Sequence, residues 1–171
     1  VGISDLGEDN GIHFLAMELI EGPDLHGVIK ETTAKGKYLP YERTVEITLA
    51  MAKALAYCHE KGAIHRDIKP QNMLIEHKTD RCVLTDFGLV KKDPTKMKSG
   101  QSAAVSQAGT LLGTPSFMSP EQFEPGGKHG KVGPKSDVWG LGATLFSMLT
   151  GAPPFRAGNV VELYSLVLNE P

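Results

Sequence analysis

The sequence has few of the residues that would place it in a specialised class of protein. It carries only two cysteines, Cys58 and Cys82, in 171 residues. One bridge is the most that they could form, which excludes a disulfide framework, and we expect two reduced thiols in an intracellular protein. The longest apolar stretch, Val138 to Leu149, is interrupted by glycine and hydroxyl residues. It falls short of the roughly 20 residues that span a bilayer, so the sequence predicts no membrane segment within this chain.

An excess of charge of one sign is also absent. The 18 basic and 20 acidic residues leave a net charge of −2, which gives no support for general nucleic-acid binding. Hydrophobic residues make up 40% of the chain, enough to exclude disorder along its whole length. An initiator methionine and a signal-peptide pattern are both lacking, so we expect Val1 to lie inside a longer chain.

Apolar periodicity and the placement of Gly and Pro predict a mixture of strands and helices. We expect strands over residues 13–20, 73–75 and 82–84, the first of them buried and the other two forming a hairpin, and helices over residues 25–30, 40–61, 136–149 and 160–168. The longest helix is expected to bury the face that carries Val45, Leu49, Ala52, Leu55 and His59. Ser136 is expected to cap its helix, and Gly151 to end it.

Two clusters of polar residues flank the predicted hairpin. One is the run from His65 to Asn72, and the other begins at Asp86. Asp67 can accept a proton from a hydroxyl, Lys69 supplies a compact positive charge, and Asn72 and Asp86 offer oxygen ligands to a hard cation such as Mg²⁺. Phosphoryl transfer requires this combination of a positioned acceptor, a metal and charge neutralisation.

In these motifs the chain resembles the eukaryotic-type protein kinase family along nearly all of its length. The matching segments are the hinge at Met17–Ile20, the catalytic loop at His65–Asn72, the start and end of the activation segment at Asp86–Gly88 and Gly113–Glu121, and the helix that begins near Asp137. The resemblance implies an α+β, protein-kinase-like fold with a mostly helical large lobe and a piece of the small-lobe sheet. It also implies a partial domain: residues 1–20 would be the end of the small lobe with the hinge strand, and residues 21–171 the large lobe, incomplete at its C-terminus.

The resemblance assigns roles around the reacting phosphate. Asp67 would be the catalytic base, and Lys69 would contact the transferring phosphate. Asn72 and Asp86 would bind Mg²⁺, with Mn²⁺ as the alternative. The cofactor would be ATP, and Lys69 would contribute to its binding.

The resemblance also assigns roles around the nucleotide. The main chain of Glu18 and Ile20 would bind adenine, Leu74 would lie beneath it, Asp24 would contact ribose, and Met17 occupies the gatekeeper position. Further structural roles are implied for four residues: His65 and Phe87 in the packed spine, Asp137 as the brace of the catalytic loop, and Glu121 as the partner of an arginine that this chain does not contain.

Substrate class and regulation follow from the same resemblance. Lys69-Pro70 and Thr114 are similar to the serine/threonine branch, and residues 119–122 resemble bacterial serine/threonine kinases. We therefore expect a protein substrate with a serine or threonine acceptor. We expect a cytoplasmic location, with the cytoplasmic part of a membrane-anchored protein as the alternative. Arg66 implies control by phosphorylation of the activation loop, with Lys91 as a second cation and Ser106 or Thr110 as the acceptor.

Two other functions stay open at this point. The Gly-rich loop and the strand lysine of the family would precede Val1, so a nucleotide-binding scaffold of the pseudokinase type is one alternative. A small-molecule phosphotransferase is the other, although the segment from Gly113 to Glu121 is a feature of kinases that act on proteins. We expect this fragment alone to be inactive and unstable.

Overall fold

The structure is a computed structural model that describes residues 1–86 and 115–169. The described strands are β1 (Ile3–Asp9), β2 (Ile12–Met17), β3 (Met73–Ile75) and β4 (Cys82–Leu84), and the helices are α1 (Leu25–Ala34), α2 (Tyr41–Glu60), α3 (Pro120–Phe123), α4 (Pro134–Thr150) and α5 (Val160–Asn169). Short 3-10 turns cover Pro70–Asn72 and Pro115–Phe117. The predicted α+β class is confirmed.

The first strand pair departs from the prediction in two ways. β2 ends at Met17 and pairs antiparallel with β1, a strand that was not predicted. The connecting residues Asn10 and Gly11 both have positive φ, 49° and 79°, as tight hairpin turns require. The burial expected for residues 13–20 is wrong, because Phe14 is 46% and Leu19 82% exposed. A two-stranded hairpin has no second layer of its own to cover its faces.

Helix α1 is longer than predicted and runs to Ala34. Its first turn is capped by Asp24, whose Oδ1 accepts a hydrogen bond from Gly27 N at 2.8 Å. At the other end, the hydroxyls of Thr32 and Thr33 donate to main-chain carbonyls one turn back. These bonds let two β-branched residues of low helix propensity continue the helix.

Helix α2 lies where it was predicted, but only part of the expected face, which includes Leu55, is buried. Its buried residues are Thr44, Ile47, Met51 and Leu55. Val45 and Leu49, expected inside, are 43% and 53% exposed. The helix carries two overlapping apolar stripes, and its contacts with α4 and β4 decide which one is buried.

The second strand pair is confirmed at its predicted bounds. β3 and β4 pair antiparallel, with Met73 opposite Leu84 and Ile75 opposite Cys82. The segment before α1 lies along β3, where Ile75 N donates to Pro23 O at 2.9 Å. A Cβ on Gly22 would lie 1.8 Å from the Ile75 carbonyl oxygen, so only glycine allows this close approach.

Helix α4 begins earlier than predicted. Gly133 is its N-cap and Pro134 its first residue, so the expectation that Ser136 caps the helix is wrong. The Ser136 hydroxyl instead accepts a hydrogen bond from Gly133 N at 3.0 Å from within the first turn. Gly151 ends the helix at φ 78°, as predicted. Helix α5 is confirmed, with one residue more than expected.

The main hydrophobic core joins α1, α2, α4 and the β3–β4 hairpin. It is built from buried aliphatic and methionine side chains, which include Leu25, Ile47, Met51, Met73 and Met148. Cys58 and Cys82 are free thiols, and burial raises the pKa of Cys82 to about 11, which makes it a poor nucleophile. Among the described residues, no helix combines the length and the hydropathy that a bilayer crossing requires.

Two glycines of α4 provide a test of this packing. A Cβ on Gly140 would lie 2.7 Å from Ile68 O and 2.8 Å from Ile68 Cβ, whereas nothing lies within 4 Å of a Cβ on Gly142. We expect Gly140→Ala to lower the free energy of unfolding by about 1–3 kcal/mol through overpacking. Gly142→Ala, the matched control, should raise it by about 0.5–1 kcal/mol. Denaturant unfolding measures the change for each substitution, and equal effects of the two would contradict this account of how α4 packs against Ile68.

Candidate active site

The polar loop between α2 and β3 brings three of the predicted residues together. In this Asp67 loop (residues 65–72), Lys69 Nζ donates to Asp67 Oδ2 at 2.8 Å. Asn72 Nδ2 donates to the same oxygen at 3.1 Å and to the Asp67 main-chain carbonyl at 2.7 Å. A carboxylate, an ammonium group and an amide therefore form one compact cluster.

The fourth predicted residue, Asp86, follows β4 and is tied to this cluster through the main chain. Thr85 N donates to the Asn72 carbonyl at 3.0 Å, and the next residue, Asp86, is exposed at φ 57°. Aspartate tolerates this left-handed conformation better than most residues. The hairpin thus places Asp86 beside the end of the Asp67 loop.

Asn72 and Asp86 are suited to hold a cation. Asn72 is buried, and its amide nitrogen is used by Asp67. Within residues 1–86 and 115–169, no hydrogen bond engages Asn72 Oδ1 or the Asp86 carboxylate. The same residues contain no group of three or more His, Cys, Asp or Glu side chains around a metal position. Two protein oxygens fit a cation such as Mg²⁺, which takes its other ligands from water and substrate phosphate.

Asp137 of α4 holds the start of the Asp67 loop through its side chain. Its side chain is 1% exposed and accepts hydrogen bonds from His65 N at 2.9 Å and Arg66 N at 2.7 Å. His59 Nε2 lies 2.7 Å from Asp137 Oδ2. His59 was predicted only to lie on a helix face, and this contact, which joins residues 78 positions apart, was not predicted.

The peptide groups on both sides of Arg66 are clamped. Arg66 has φ 67°, a conformation that costs a non-glycine residue about 1–3 kcal/mol. Asp137 holds its N–H, and Gln122 Nε2 donates to its carbonyl at 2.7 Å. Gln122 was not predicted. The spacing of Ser119 and Gln122 is that of a capping box, which could have drawn attention to it, and Gln122 Oε1 does accept from Ser119 N at 3.1 Å.

His65 is fully buried and joins the loop to β4. Its Nε2 lies 2.9 Å from the Thr85 carbonyl, and its Nδ1 accepts from Asp67 N at 3.3 Å. These partners assign the proton of the neutral ring to Nε2. Burial lowers the pKa of His65, against a smaller opposing effect of the bond to Thr85. The neutral ring therefore belongs to the native state.

This burial predicts a pH dependence of stability. Below its usual pKa of about 6.5, His65 binds a proton more readily in the unfolded chain than in the folded one. We therefore expect the free energy of unfolding to fall as the pH drops below about 6.5. In the variant His65→Phe, the part of the pH dependence that is due to His65 should disappear. The variant should also be less stable than the wild type at about pH 8, because it lacks the hydrogen bond of the His65 ring. Denaturant unfolding of the wild type and the variant at a series of pH values measures this dependence. If the free energy of unfolding changes equally with pH in both proteins, His65 is not the cause.

The predicted nucleotide residues lie along the segment that connects β2 to α1. Met17 ends β2 and is 42% exposed, whereas Ile20 is buried. Glu18 N donates to Gly2 O at 2.8 Å, and Arg81 Nη2 donates to the Glu18 carboxylate at 2.7 Å. The pKa of Glu18 is lowered, chiefly by the hydrogen bond from the Gly2 amide and next by the hydrogen bond from Arg81. Arg81 was not predicted as a partner of this segment.

Asp24 and Leu74 are brought together at the end of this segment. They form an isolated antiparallel bridge, and Leu74 is half-buried on β3. Within the described part of the chain, no hydrogen bond joins either of them to Asp67 or Lys69. Asp24 thus lies beside β3, whose first residue directly follows Asn72 of the Asp67 cluster.

Six predicted site residues remain. The structure describes one of them and does not describe the other five. Glu121 accepts a hydrogen bond from the Ser136 hydroxyl at 2.6 Å, which ties α3 to α4. Phe87, Lys91, Ser106, Thr110 and Thr114 lie outside the described residues. The described part places a carboxylate that could orient a hydroxyl acceptor near two residues whose oxygens could hold a cation, and phosphoryl transfer needs such an arrangement.

Comparison with known proteins identifies the family. The model of the protein kinase domain matches residues 1–170. The chain is 38% identical to serine/threonine-protein kinase PknH of Mycobacterium tuberculosis over 171 residues, which are 100% of this chain and 25% of PknH. It is 34% identical to serine/threonine-protein kinase PknL of the same organism over 163 residues, 95% of this chain and 37% of PknL.

A solved structure agrees with these matches. The crystal structure of Rad53 1-466 in complex with AMP-PNP superposes with a TM-score of 0.69 at 26% identity, covering 95% of this chain and 36% of that one. The expected protein-kinase-like fold is thereby confirmed. The chain spans about a quarter of the length of PknH. From the family match, the fold and the relatives, we conclude that this chain belongs to the protein kinase domain family.

Proposed function

We propose that the protein containing this chain transfers the γ-phosphate of ATP to serine and threonine hydroxyls of protein substrates. The observation that carries the proposal is the Asp67 carboxylate, held by Lys69 Nζ at 2.8 Å and Asn72 Nδ2 at 3.1 Å. A carboxylate held in this way can orient a hydroxyl and take its proton as the new bond to phosphorus forms. The names of the curated relatives support the serine/threonine class.

Each member of the cluster has a distinct role in this proposal. Asp67 is the catalytic base. Lys69 lies close enough to Asp67 to contact the phosphoryl group that approaches the same acceptor, and its charge offsets the negative charge there. Asp137 and Gln122 are positioning residues, because they hold the main chain of the Asp67 loop at Arg66.

ATP, bound with a divalent cation, supplies the phosphoryl group. Asn72 and Asp86 hold the cation, which we propose to be Mg²⁺ with Mn²⁺ as a substitute. The bond from Asn72 Nδ2 to Asp67 supports this role, because it turns Asn72 Oδ1 away from Asp67. Oxygen ligands of this kind are those that Mg²⁺ prefers.

The remaining assignments concern the nucleotide. The Glu18 amide is used by Gly2, which leaves the Glu18 carbonyl and the Ile20 amide to bind adenine. Asp24 Oδ1 caps α1, which leaves Oδ2 for the ribose hydroxyls. Leu74 lies beneath the adenine, and Met17 is the gatekeeper.

Regulation and location rest on the sequence resemblance. Phosphorylation of Ser106 or Thr110 would recruit Arg66 and Lys91 and order the activation segment, since a phosphate carries a charge of about −1.5 to −2. The catalytic part is proposed to act in the cytoplasm. We further propose the division into two lobes, the spine roles of His65 and Phe87, and a place for Thr114 in the loop that binds the acceptor.

A phosphotransfer assay tests the central proposal. The full-length protein is incubated with γ-labelled ATP, Mg²⁺ and a generic protein substrate, and the labelled residues are identified. We expect labelled phosphoserine and phosphothreonine, loss of labelling in EDTA, and recovery with added Mg²⁺ or Mn²⁺. Folded protein that binds ATP but transfers no phosphate, or that labels tyrosine alone, would overturn the proposal.

A further inference from the structure

A second concave site lies beside the Asp67 loop. It is a cavity of about 340 Å³ between α1, the turn Pro70–Asn72 and the end of α4. Its walls are mostly apolar and include Ile29, Ala34, Phe117 and Pro153. The volume lies within the range of about 300–1,000 Å³ typical of ligand sites. Asp67, Lys69 and Asn72 do not line it, so the cavity is distinct from the phosphoryl-transfer cluster.

The cavity is built into the packing of two helices. Gly151 ends α4 against α1, and a Cβ at that position would lie 2.7 Å from Thr33 Oγ1. The Thr33 hydroxyl is itself held by a hydrogen bond to Ile29 O at 2.8 Å. Because glycine permits this close approach, the wall shared by α1 and α4 is preformed.

Among residues 1–86 and 115–169, the cavity is lined by the cations Lys30 and Arg156 together with His26, and by no aspartate or glutamate. All three are exposed. None of them forms a salt bridge within residues 1–86 and 115–169. An apolar cavity with an unneutralised basic rim is complementary to an apolar group that lies next to a carboxylate.

The position of the cavity connects it to the substrate. Pro70 and Gln71 line it and directly precede Asn72. Gln71 is four positions from Asp67, a separation of at most roughly 14 Å along the chain. An extended polypeptide whose hydroxyl lies at Asp67 would cover this distance within about five residues.

We propose that this cavity selects protein substrates carrying an apolar residue next to aspartate or glutamate, within about five residues of the acceptor. The proposal rests on the proposed kinase function, whose site it extends. The apolar side chain enters the cavity, and the carboxylate is bound by Lys30 and Arg156 at its rim. The neighbouring cluster then receives an acceptor hydroxyl already in register.

Matched peptides test the proposal in the full-length protein. Each peptide has one serine acceptor and either Leu-Glu or Leu-Lys, moved through about five positions on each side of the serine. We expect the best Leu-Glu peptide to have a kcat/KM at least about fivefold above its Leu-Lys counterpart. The double variant Lys30→Glu/Arg156→Glu should reverse this preference through KM while leaving the KM for ATP unchanged. Lys53→Glu, an exposed charge reversal on α2 outside the cavity, is the control and should preserve it.

The outcomes separate the two proposals. If the wild-type protein labels no protein at all, the kinase function itself fails. If it labels a generic protein but treats both peptides equally, the cavity proposal alone is overturned. Retention of the Leu-Glu preference in the double variant overturns it as well.

Discussion

Replacing Asp67 with asparagine in the full-length protein is expected to lower kcat for protein phosphorylation by about 10²–10⁴-fold. Asparagine has nearly the shape of aspartate and keeps a carbonyl oxygen for the bonds from Lys69 and Asn72. It cannot take up the proton of the acceptor hydroxyl. The loss should therefore appear in kcat, with the KM for ATP nearly unchanged. Initial rates at saturating ATP and varied protein substrate measure it.

The chain offers a matched control for this substitution. Asp80 lies on the surface, where its carboxylate pairs with Arg43 at 2.7 Å. Asp80→Asn makes the same chemical change at a carboxylate outside the Asp67 cluster. It should leave kcat unchanged and alter stability by no more than about 1 kcal/mol. Full activity of a folded Asp67→Asn protein would remove Asp67 from the role of base.

Asp137 is expected to have the largest effect on stability. Asp137→Ala would leave the main-chain N–H groups of His65 and Arg66 buried without their acceptor. It would also remove one of the two contacts that hold the main chain of Arg66 at positive φ. We expect the free energy of unfolding to fall by about 3–5 kcal/mol, together with loss of activity, because the Asp67 loop is no longer positioned.

Two milder variants separate the contributions to this loss. Asp137→Asn keeps one acceptor oxygen but turns an NH₂ group towards a donor, so an intermediate loss of stability is expected. His59→Ala removes only the contact to Asp137 Oδ2 and should cost about 1 kcal/mol, with the loop intact. Denaturant unfolding and kcat are measured for each variant. A change below about 1 kcal/mol in Asp137→Ala would show that the two amides find another acceptor.

Contacts within short segments were predictable from the sequence. Asp67, Lys69 and Asn72 lie within six consecutive residues, so a single tight loop brings them together. The β3–β4 hairpin was found because two apolar triplets flank a polar turn. β1 was missed because its strand is polar, although the Asn10-Gly11 pair that turns it is a strong hairpin signal.

Residue patterns alone could not predict contacts between distant segments, and the one such contact that was expected, Asp137 against the catalytic loop, was implied by the family resemblance. Gln122 reaches Arg66 across 56 residues, and His59 reaches Asp137 across 78. No periodicity or spacing relates such pairs, because each depends on how whole helices pack. The same holds for the buried face of α2, where Ile47 and Met51 replace the expected Val45 and Leu49.

The sequence by itself therefore determined the chemistry: which residues can take a proton, neutralise a phosphate and hold a cation, and which family carries them in this order. Only the tertiary structure decided how that chemistry is held in place. It set Asp137 and Gln122 on either side of Arg66, and it formed a basic-rimmed cavity between α1 and α4. The physical reason is the distance along the chain over which each effect acts. Side-chain chemistry and turn preferences act within a few residues, whereas burial and packing depend on segments that meet only when the chain folds.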